Sequence, residues 1–258
     1  MASRTRSEPP PHPTARPRVT RDAVARGAVR FAQPERGYRV NVDSLVLAAF
    51  AARGRRASLA VDLGAGVGVV GLLLHELGAC QELALVERDA GLVALAGENL
   101  SESGVPGRAY QADLEQGLPR ALEQRADLVV GNPPFFDPGG HRAPSDPGRR
   151  AARQGTLAPF VRAAALALSG DKARAAFVYP ARALSELFQA VSSAGLVPKR
   201  LRLVHPFVDR PARVALMEFR RARPGGLVVE PPLVEWDAPG QRSAELYAIT
   251  SGEAADRR

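Results

Sequence analysis

Leu59-Ala60-Val61-Asp62-Leu63-Gly64-Ala65-Gly66-Val67-Gly68 decides the fold. An apolar run of strand length carries an acid near its end and empties into three glycines at alternate positions, and Val69 to about Glu76 follows as a helix. Glycines there let the backbone turn tightly and approach a ligand that a Cβ would repel. Strand, glycine loop and helix in that order open a nucleotide-binding α/β sheet.

The next strands narrow the ligand. Leu83 to Val86 ends in Glu87, where a carboxylate is placed to accept from both ribose hydroxyls of an adenine nucleoside. Arg108 to Leu114 reads as a short third strand ending at Asp113, placed for the exocyclic amine of the adenine. A dinucleotide would ask for a sixth-position glycine, and Val69 stands there. Asp62 sits poorly beside a diphosphate and well beside an ammonium. A ligand with an ammonium end and an adenosine end is required, and S-adenosyl-L-methionine fits.

A fourth strand, Ala126 to Gly131, runs into Asn132-Pro133-Pro134-Phe135-Phe136. Prolines remove backbone donors and fix φ, so Asn132 and the neighbouring carbonyls are held rigidly at the strand's C-terminal edge, where α/β sheets keep their ligands. This is the expected reaction centre. Two acceptors, the Asn132 side-chain carbonyl and the Pro133 carbonyl, suit the two hydrogens of a planar NH2, and an aromatic ring at Phe135 suits stacking on a base.

A Pro/Gly-rich loop from Asp137 to about Gln154 carries His141, Arg142, Arg149, Arg150 and Arg153, and loops of that length are usually lids or binding loops. Helices over about Leu157–Leu168 and Ala183–Ala194 alternate with strands at Arg174–Tyr179, Arg200–Val204 and Ala212–Arg220, a doubly wound pattern. Before the first core strand, an Ala/Leu-rich helix ending near Gly54 has its cap at Asp43 or Ser44, and Tyr38, Arg39, Asn41 and Asp43 at its entry stand where a ligand could meet it.

Three regions are expected: a disordered basic arm over residues 1–30, a catalytic domain over 31–223 and a C-terminal extension over 224–258. The arm rests on three successive prolines and the arginines up to Arg26. With 258 residues, 45% hydrophobic, one substantial core is enough, and a formal charge of +8 favours a polyanionic partner. Lys199, Arg200, Arg202, Arg210, Arg213, Arg220, Arg221 and Arg223 make the C-terminal third basic. Cys80, the single cysteine, fits a reduced compartment, and neither an apolar leader nor a membrane-length run is present, so a cytoplasmic protein is expected. No histidine lies at ligand spacing with Cys80, and no metal is expected.

With both VDLGAGVG and GNPPF in view, the chain resembles the class I S-adenosylmethionine-dependent methyltransferases, and among them the amino methyltransferases with an (Asn/Asp)-Pro-Pro-(Tyr/Phe) signature. A narrower likeness is to the bacterial tRNA(Val) adenine N6-methyltransferases. It is carried by Phe31-Ala32-Gln33, Gly37 to Asp43, Ser44 to Phe50, the NPPFF with its arginine-bearing loop, and His205-Pro206. The resemblance implies an α/β, doubly wound, seven-stranded Rossmann-like sheet of order 3-2-1-4-5-7-6. By the same resemblance Asp62, Gly64, Ala65, Gly66 and Gly68 hold the methionine end, Glu87 the ribose, and Asp113 with Leu114 the adenine, with Arg88 beside them. Asn132 and Pro133 grip the target amine and Phe135 stacks on the target ring. Pro134, Phe136, Arg149, Arg150 and Arg153 are expected on the substrate side.

The expected activity is N-methylation of an exocyclic amine, adenine N6 in tRNA, by a monomer. The rivals are N5-methylation of a protein glutamine, N2-methylation of guanine in ribosomal RNA, and a catalytically silent RNA-binding module. DNA methylation and an NAD oxidoreductase fit less well.

Overall fold

Leucine, valine and alanine occupy both faces of the central strands, the composition of a sheet covered on both sides. The computed structural model of the chain describes residues 18–36, 40–135 and 157–252. Tyr38, Arg39, Phe136, His141, Arg142, Arg149, Arg150 and Arg153, with residues 1–17 and the loop expected over 137–154, lie outside the described residues.

Strands β1 (Val19–Val24) and β2 (Val29–Pro34) form an antiparallel hairpin. Helix α1 (Val42–Ala51) leads into β3 (Ala57–Leu63), α2 (Val69–Glu76), β4 (Cys80–Glu87), α3 (Ala90–Glu102), β5 (Gly107–Gln111) and β6 (Leu128–Gly131). Then come α4 (Leu157–Ala167), β7 (Arg174–Pro180), α5 (Leu184–Ser193), β8 (Val197–His205) and β9 (Val214–Arg220). The extension supplies β10 (Val228–Val229), β11 (Leu233–Val234), a small hairpin of β12 (Trp236–Ala238) and β13 (Gln241–Arg242), and α6 (Ala244–Ser251).

Across the long strands the order is β5-β4-β3-β6-β7-β9-β8, with β9 antiparallel to both neighbours and the other pairs parallel. Short β10 and β11 lie parallel to β8 and extend that edge, giving nine strands where seven were expected. Side chains alternate between two cores with the period of two that a strand imposes. Ala60, Leu83, Leu85, Leu128, Val130, Ala176 and Val178 face the core shared with α1, α2 and α3. Val61, Leu63, Ala84, Val86, Val129, Ala175 and Phe177 face the core shared with α4 and α5. Among the described residues no helix is long and apolar enough to cross a membrane, and no three His, Cys, Asp or Glu side chains gather as a metal site.

The expectation of a disordered arm through residue 30 is corrected, because β1 and the first two residues of β2 fall within it. Charge does not prevent a strand when alternation sends it outward. Val29, Phe31 and Ala32 are buried while Arg21 is exposed and pairs with Glu102. Asn99 of α3, 1% exposed, stitches the hairpin down. Its Oδ1 accepts from Ala32 N–H at 2.7 Å, and its Nδ2 donates to the carbonyls of Ala32 at 3.0 Å and Val67 at 2.9 Å.

The helix cap is also corrected: Asn41, whose side chain accepts from Asp43 N–H at 3.1 Å, caps α1. Asp43 is buried and pairs with Arg213 at 2.7 Å, so it faces the fold rather than a ligand. Most of the C-terminal arginines are likewise engaged inside the molecule. Arg200 pairs with Glu218 and Glu230, Arg202 holds Glu245 through two bonds of 2.8 and 2.7 Å, and Arg221 donates to the carbonyls of Leu168 and Ala165.

Replacing Asn99 by leucine keeps the branching and the number of side-chain heavy atoms and removes all three bonds. At about 1–3 kcal/mol for each buried group left unpaired, Asn99→Leu is expected to lower stability by about 2–4 kcal/mol. Urea unfolding measures this, and a loss under about 0.5 kcal/mol would mean that the hairpin is anchored elsewhere.

Candidate active site

Leu63 pairs with Val86 on one side and with Gly131 on the other, and Glu87 pairs with Gln111. Parallel strands β3, β4 and β6 therefore end level, and Gly64, Glu87 and Asn132 leave the sheet side by side. That C-terminal edge is where open α/β sheets bind ligands.

The glycine loop is built by backbone bonds. Gly64 and Ala65 donate to Val86 O at 2.8 and 3.0 Å, and Gly68 N–H closes the turn on Ala65 O at 2.8 Å. Gly68 opens α2 with φ +88°, and a Cβ there would stand 2.6 Å from Leu85 Cδ1, so both backbone and packing require glycine. Glu87 ties this loop to the next one. Its Oε2 accepts from Gly66 N–H at 3.0 Å, and its Oε1 from Arg88 and Asp89 N–H at 2.8 and 3.1 Å. Space over Gly66 is open, with nothing within 4 Å of the position a Cβ would take. An acceptor carboxylate level with an open glycine turn fits an adenosyl amino acid.

Asp62 has a different place from the one expected. It is 3% exposed and its Oδ2 accepts from Gly71 N–H at 3.1 Å, so in this structure it fixes the loop to α2 instead of lining open space. Burial pushes its carboxyl up to about 7; the Gly71 N–H offsets part of that and the negative Glu87 adds to it. Asp113 lies beyond the end of β5, in a turn where its Oδ1 accepts from Glu115 N–H at 3.0 Å. Leu114 is buried in the core with Val86, and Arg88 is exposed next to Glu87.

On the other flank, Gly131 seats the NPPF segment. A Cβ at 131 would come within 2.8 Å of the Phe177 ring, its partner in the β6–β7 register. Pro133 is buried, Pro134 is exposed, and Asn132 and Phe135 are half-buried. The Phe135 ring meets Tyr179 edge-on, with centroids 6.4 Å apart and planes at 73°. Tyr179 and Phe177 were missed in the sequence, although an aromatic near the end of the strand that follows NPPF is the signal that could have found them. The structure thus brings Gly64, Ala65, Gly66, Gly68, Glu87, Asn132, Pro133, Pro134 and Phe135 to one edge. Phe136, Arg149, Arg150 and Arg153 fall outside the described residues.

Asp62 sets a testable pH dependence. A carboxyl held near 7 in the fold and near 3.8 when unfolded contributes stability that is full below about 4 and is lost as pH rises to about 7. Asp62→Asn keeps an acceptor for Gly71 and removes the titration. Between pH 4 and 7 the wild-type stability is expected to fall relative to the variant, with a slope difference approaching one proton. Parallel curves from denaturant unfolding would show that Asp62 ionises normally in the fold.

Comparison with known proteins identifies the family. Residues 41–144 match the methyltransferase small domain. The tRNA1(Val) (adenine(37)-N6)-methyltransferase of Edwardsiella ictaluri is 30% identical over 186 residues, 71% of this chain and 74% of that protein. Ribosomal RNA small subunit methyltransferase C of Haemophilus influenzae is 30% identical over 77 residues, 30% of this chain and 22% of that protein. Among solved structures, a predicted O-methyltransferase of Agrobacterium tumefaciens has the same fold, with a TM-score of 0.61 at 20% identity over 81% of this chain and 96% of that one. A glycine loop, the Glu87 carboxylate and an NPPF strand end stand on one edge, and a relative aligned over most of both chains puts this chain in the family of S-adenosylmethionine-dependent methyltransferases that contains the tRNA1(Val) (adenine(37)-N6)-methyltransferases.

Proposed function

We propose that the chain methylates the exocyclic N6 amine of an adenine in tRNA. The observation that carries this reading is the level ending of β3 and β6, which sets Asn132 and Pro133 beside the glycine loop. When bound, S-adenosyl-L-methionine supplies a methyl group on an electrophilic sulfonium, so the protein's task is position rather than activation. Gly64, Ala65, Gly66 and Gly68 would hold its amino acid end, Glu87 its ribose, and Asp113 with Leu114 its adenine. Asn132 and Pro133 each offer a carbonyl to one hydrogen of the target NH2, which turns the nitrogen lone pair out of the ring plane and toward the donor. Phe135, held edge-on by Tyr179, takes the target ring by stacking, and the surplus proton leaves to water.

The adenine-specific relative supports this reading over the ribosomal one, because it aligns over 74% of its own length against 22%. A base in a tRNA loop is already partly unstacked, so its extrusion costs little.

Purified protein given labelled S-adenosylmethionine and bulk bacterial tRNA is expected to yield N6-methyladenosine on digestion. Asn132→Ala is expected to reduce transfer by about 100-fold or more while cofactor binding stays within a few fold. Label in a protein glutamine and none in RNA would overturn the acceptor assignment, and N2-methylguanosine from ribosomal RNA would move it to a guanine of that RNA. A collapse of cofactor affinity in the variant would make Asn132 chiefly a cofactor residue.

A further inference from the structure

The C-terminal extension builds a feature that the methyl-transfer site does not use. Between the β12–β13 hairpin and α6 lies a cavity of about 710 Å³, lined by Trp236, Asp237, Arg242 and Tyr247 among others. Two guanidiniums stand over two rings there: Arg242 lies 5.8 Å from the Trp236 centroid, and Arg26, from the turn of the β1–β2 hairpin, lies 5.6 Å from that of Tyr247. Arg26 also donates to the Tyr247 hydroxyl at 2.9 Å. Tyr247 is 50% exposed and Trp236 half-buried.

Strand direction fixes which edge of the sheet this cavity belongs to. Strand β8 runs parallel to β7, because both are antiparallel to β9, and β11 runs parallel to β8 with Val234 beside His205. Pairing continues as Glu235 N–H donates to His205 O at 2.8 Å and Trp236 N–H to Pro206 O at 3.0 Å. Trp236 therefore emerges on the same edge as Asn132, beyond its level and four strand intervals from β6, roughly 19 Å at about 4.8 Å per interval.

We infer that this aromatic and cationic groove is a second nucleotide-binding platform, which takes a single-stranded stretch of the RNA whose target base enters at Asn132; this rests on the RNA reading above. Stacking surfaces for bases and guanidiniums for phosphates are what sequence-independent single-strand binding uses. Arg242 and Asp237 are the charged lining residues, and Arg26, seated over the Tyr247 ring beside them, tips the local balance toward a polyanion. A volume near 710 Å³ accommodates a nucleotide.

Trp236 is the single tryptophan of the chain, so its emission reports on the platform alone. The probe is a short oligouridylate, which has no adenine and cannot be the methyl acceptor. Titrated into the full-length protein, it is expected to quench Trp236 emission saturably and in a salt-dependent manner. Tyr247→Ala and Arg242→Gln are each expected to weaken that binding about fivefold or more. With bulk tRNA the same variants raise KM and leave kcat unchanged, which a merely structural defect would not do. Absence of quenching while bulk tRNA is still methylated would overturn the platform and leave the acceptor reading intact. Quenching without methyl transfer to any RNA would support the platform and sink the acceptor reading. Equal quenching by polyglutamate, or unaltered oligouridylate affinity in both variants, would overturn the assignment to RNA.

Discussion

The level ending of three parallel strands is the constraint on which the rest of the site depends. Leu63 is flanked by Val86 and Gly131, and Gly64, Glu87 and Asn132 follow one residue later. A slip of one residue in β6 would exchange its two faces and move Asn132 off the level of the glycine loop. Phe177 guards against that slip, because its ring fills the space over position 131 and leaves no room for a side chain there. The same core residue that packs against Phe219 edge-on at 5.0 Å thus also determines where the NPPF segment leaves the sheet. Two prolines then keep the direction of exit, since neither can rotate about φ.

Charge works differently from the way composition suggests. A formal charge of +8 invites the picture of a basic surface, yet Arg174, Arg200, Arg202, Arg213 and Arg221 of the C-terminal third are engaged within the molecule. Arg213 joins Asp43 on α1 and Glu235 in the extension; burial alone would make its guanidinium easier to deprotonate, and the two carboxylates outweigh that. Arg200 bridges Glu218 on β9 and Glu230 beyond β10, and its guanidinium also lies 4.3 Å over the Phe50 ring. Pairs of this kind contribute little net stability once desolvation is counted, but they fix which segments lie together. Their common effect is to hold the extension against the sheet.

Much of this was legible in the sequence for a physical reason. Strand β6 and most of β7 appear as short unbroken apolar runs, β3 carries a shorter one before Asp62, and the glycine loop and NPPF mark the ends of β3 and β6. Helix α2 was bounded correctly because Gly68 and the end of the apolar run delimit it. Helix α3 escaped notice because glycines at 91 and 97 dilute its pattern, although Asp89 caps it by accepting from Leu92 N–H. The order of the strands came from the resemblance, since periodicity carries no information about neighbours. Asp62 shows the limit at the site. Its type and position suit an ammonium, but only the fold reveals that the side chain faces α2 and is covered. The hairpin was hidden by its arginines, and the extension by its short strands.

Those short strands also explain how a tail can reach the C-terminal edge of the sheet. A sheet edge exposes unpaired backbone groups and invites association, and proteins commonly interrupt such edges. Here Pro231 and Pro232 stand between β10 and β11, so the added strand pairs with β8 in two short pieces. Arg202 closes the break by donating to Pro231 O at 3.0 Å while its other nitrogens hold Glu245 on α6. Because both pieces run parallel to β8, the chain is delivered to the C-terminal edge of the sheet; an antiparallel addition would have returned it to the opposite end. Ser243 then turns it into α6, its hydroxyl donating to Val234 O at 2.6 Å and accepting from Leu246 N–H at 3.1 Å. Direction of pairing at the outermost strand is therefore what puts Trp236 and Tyr247 on the side where Asn132 emerges.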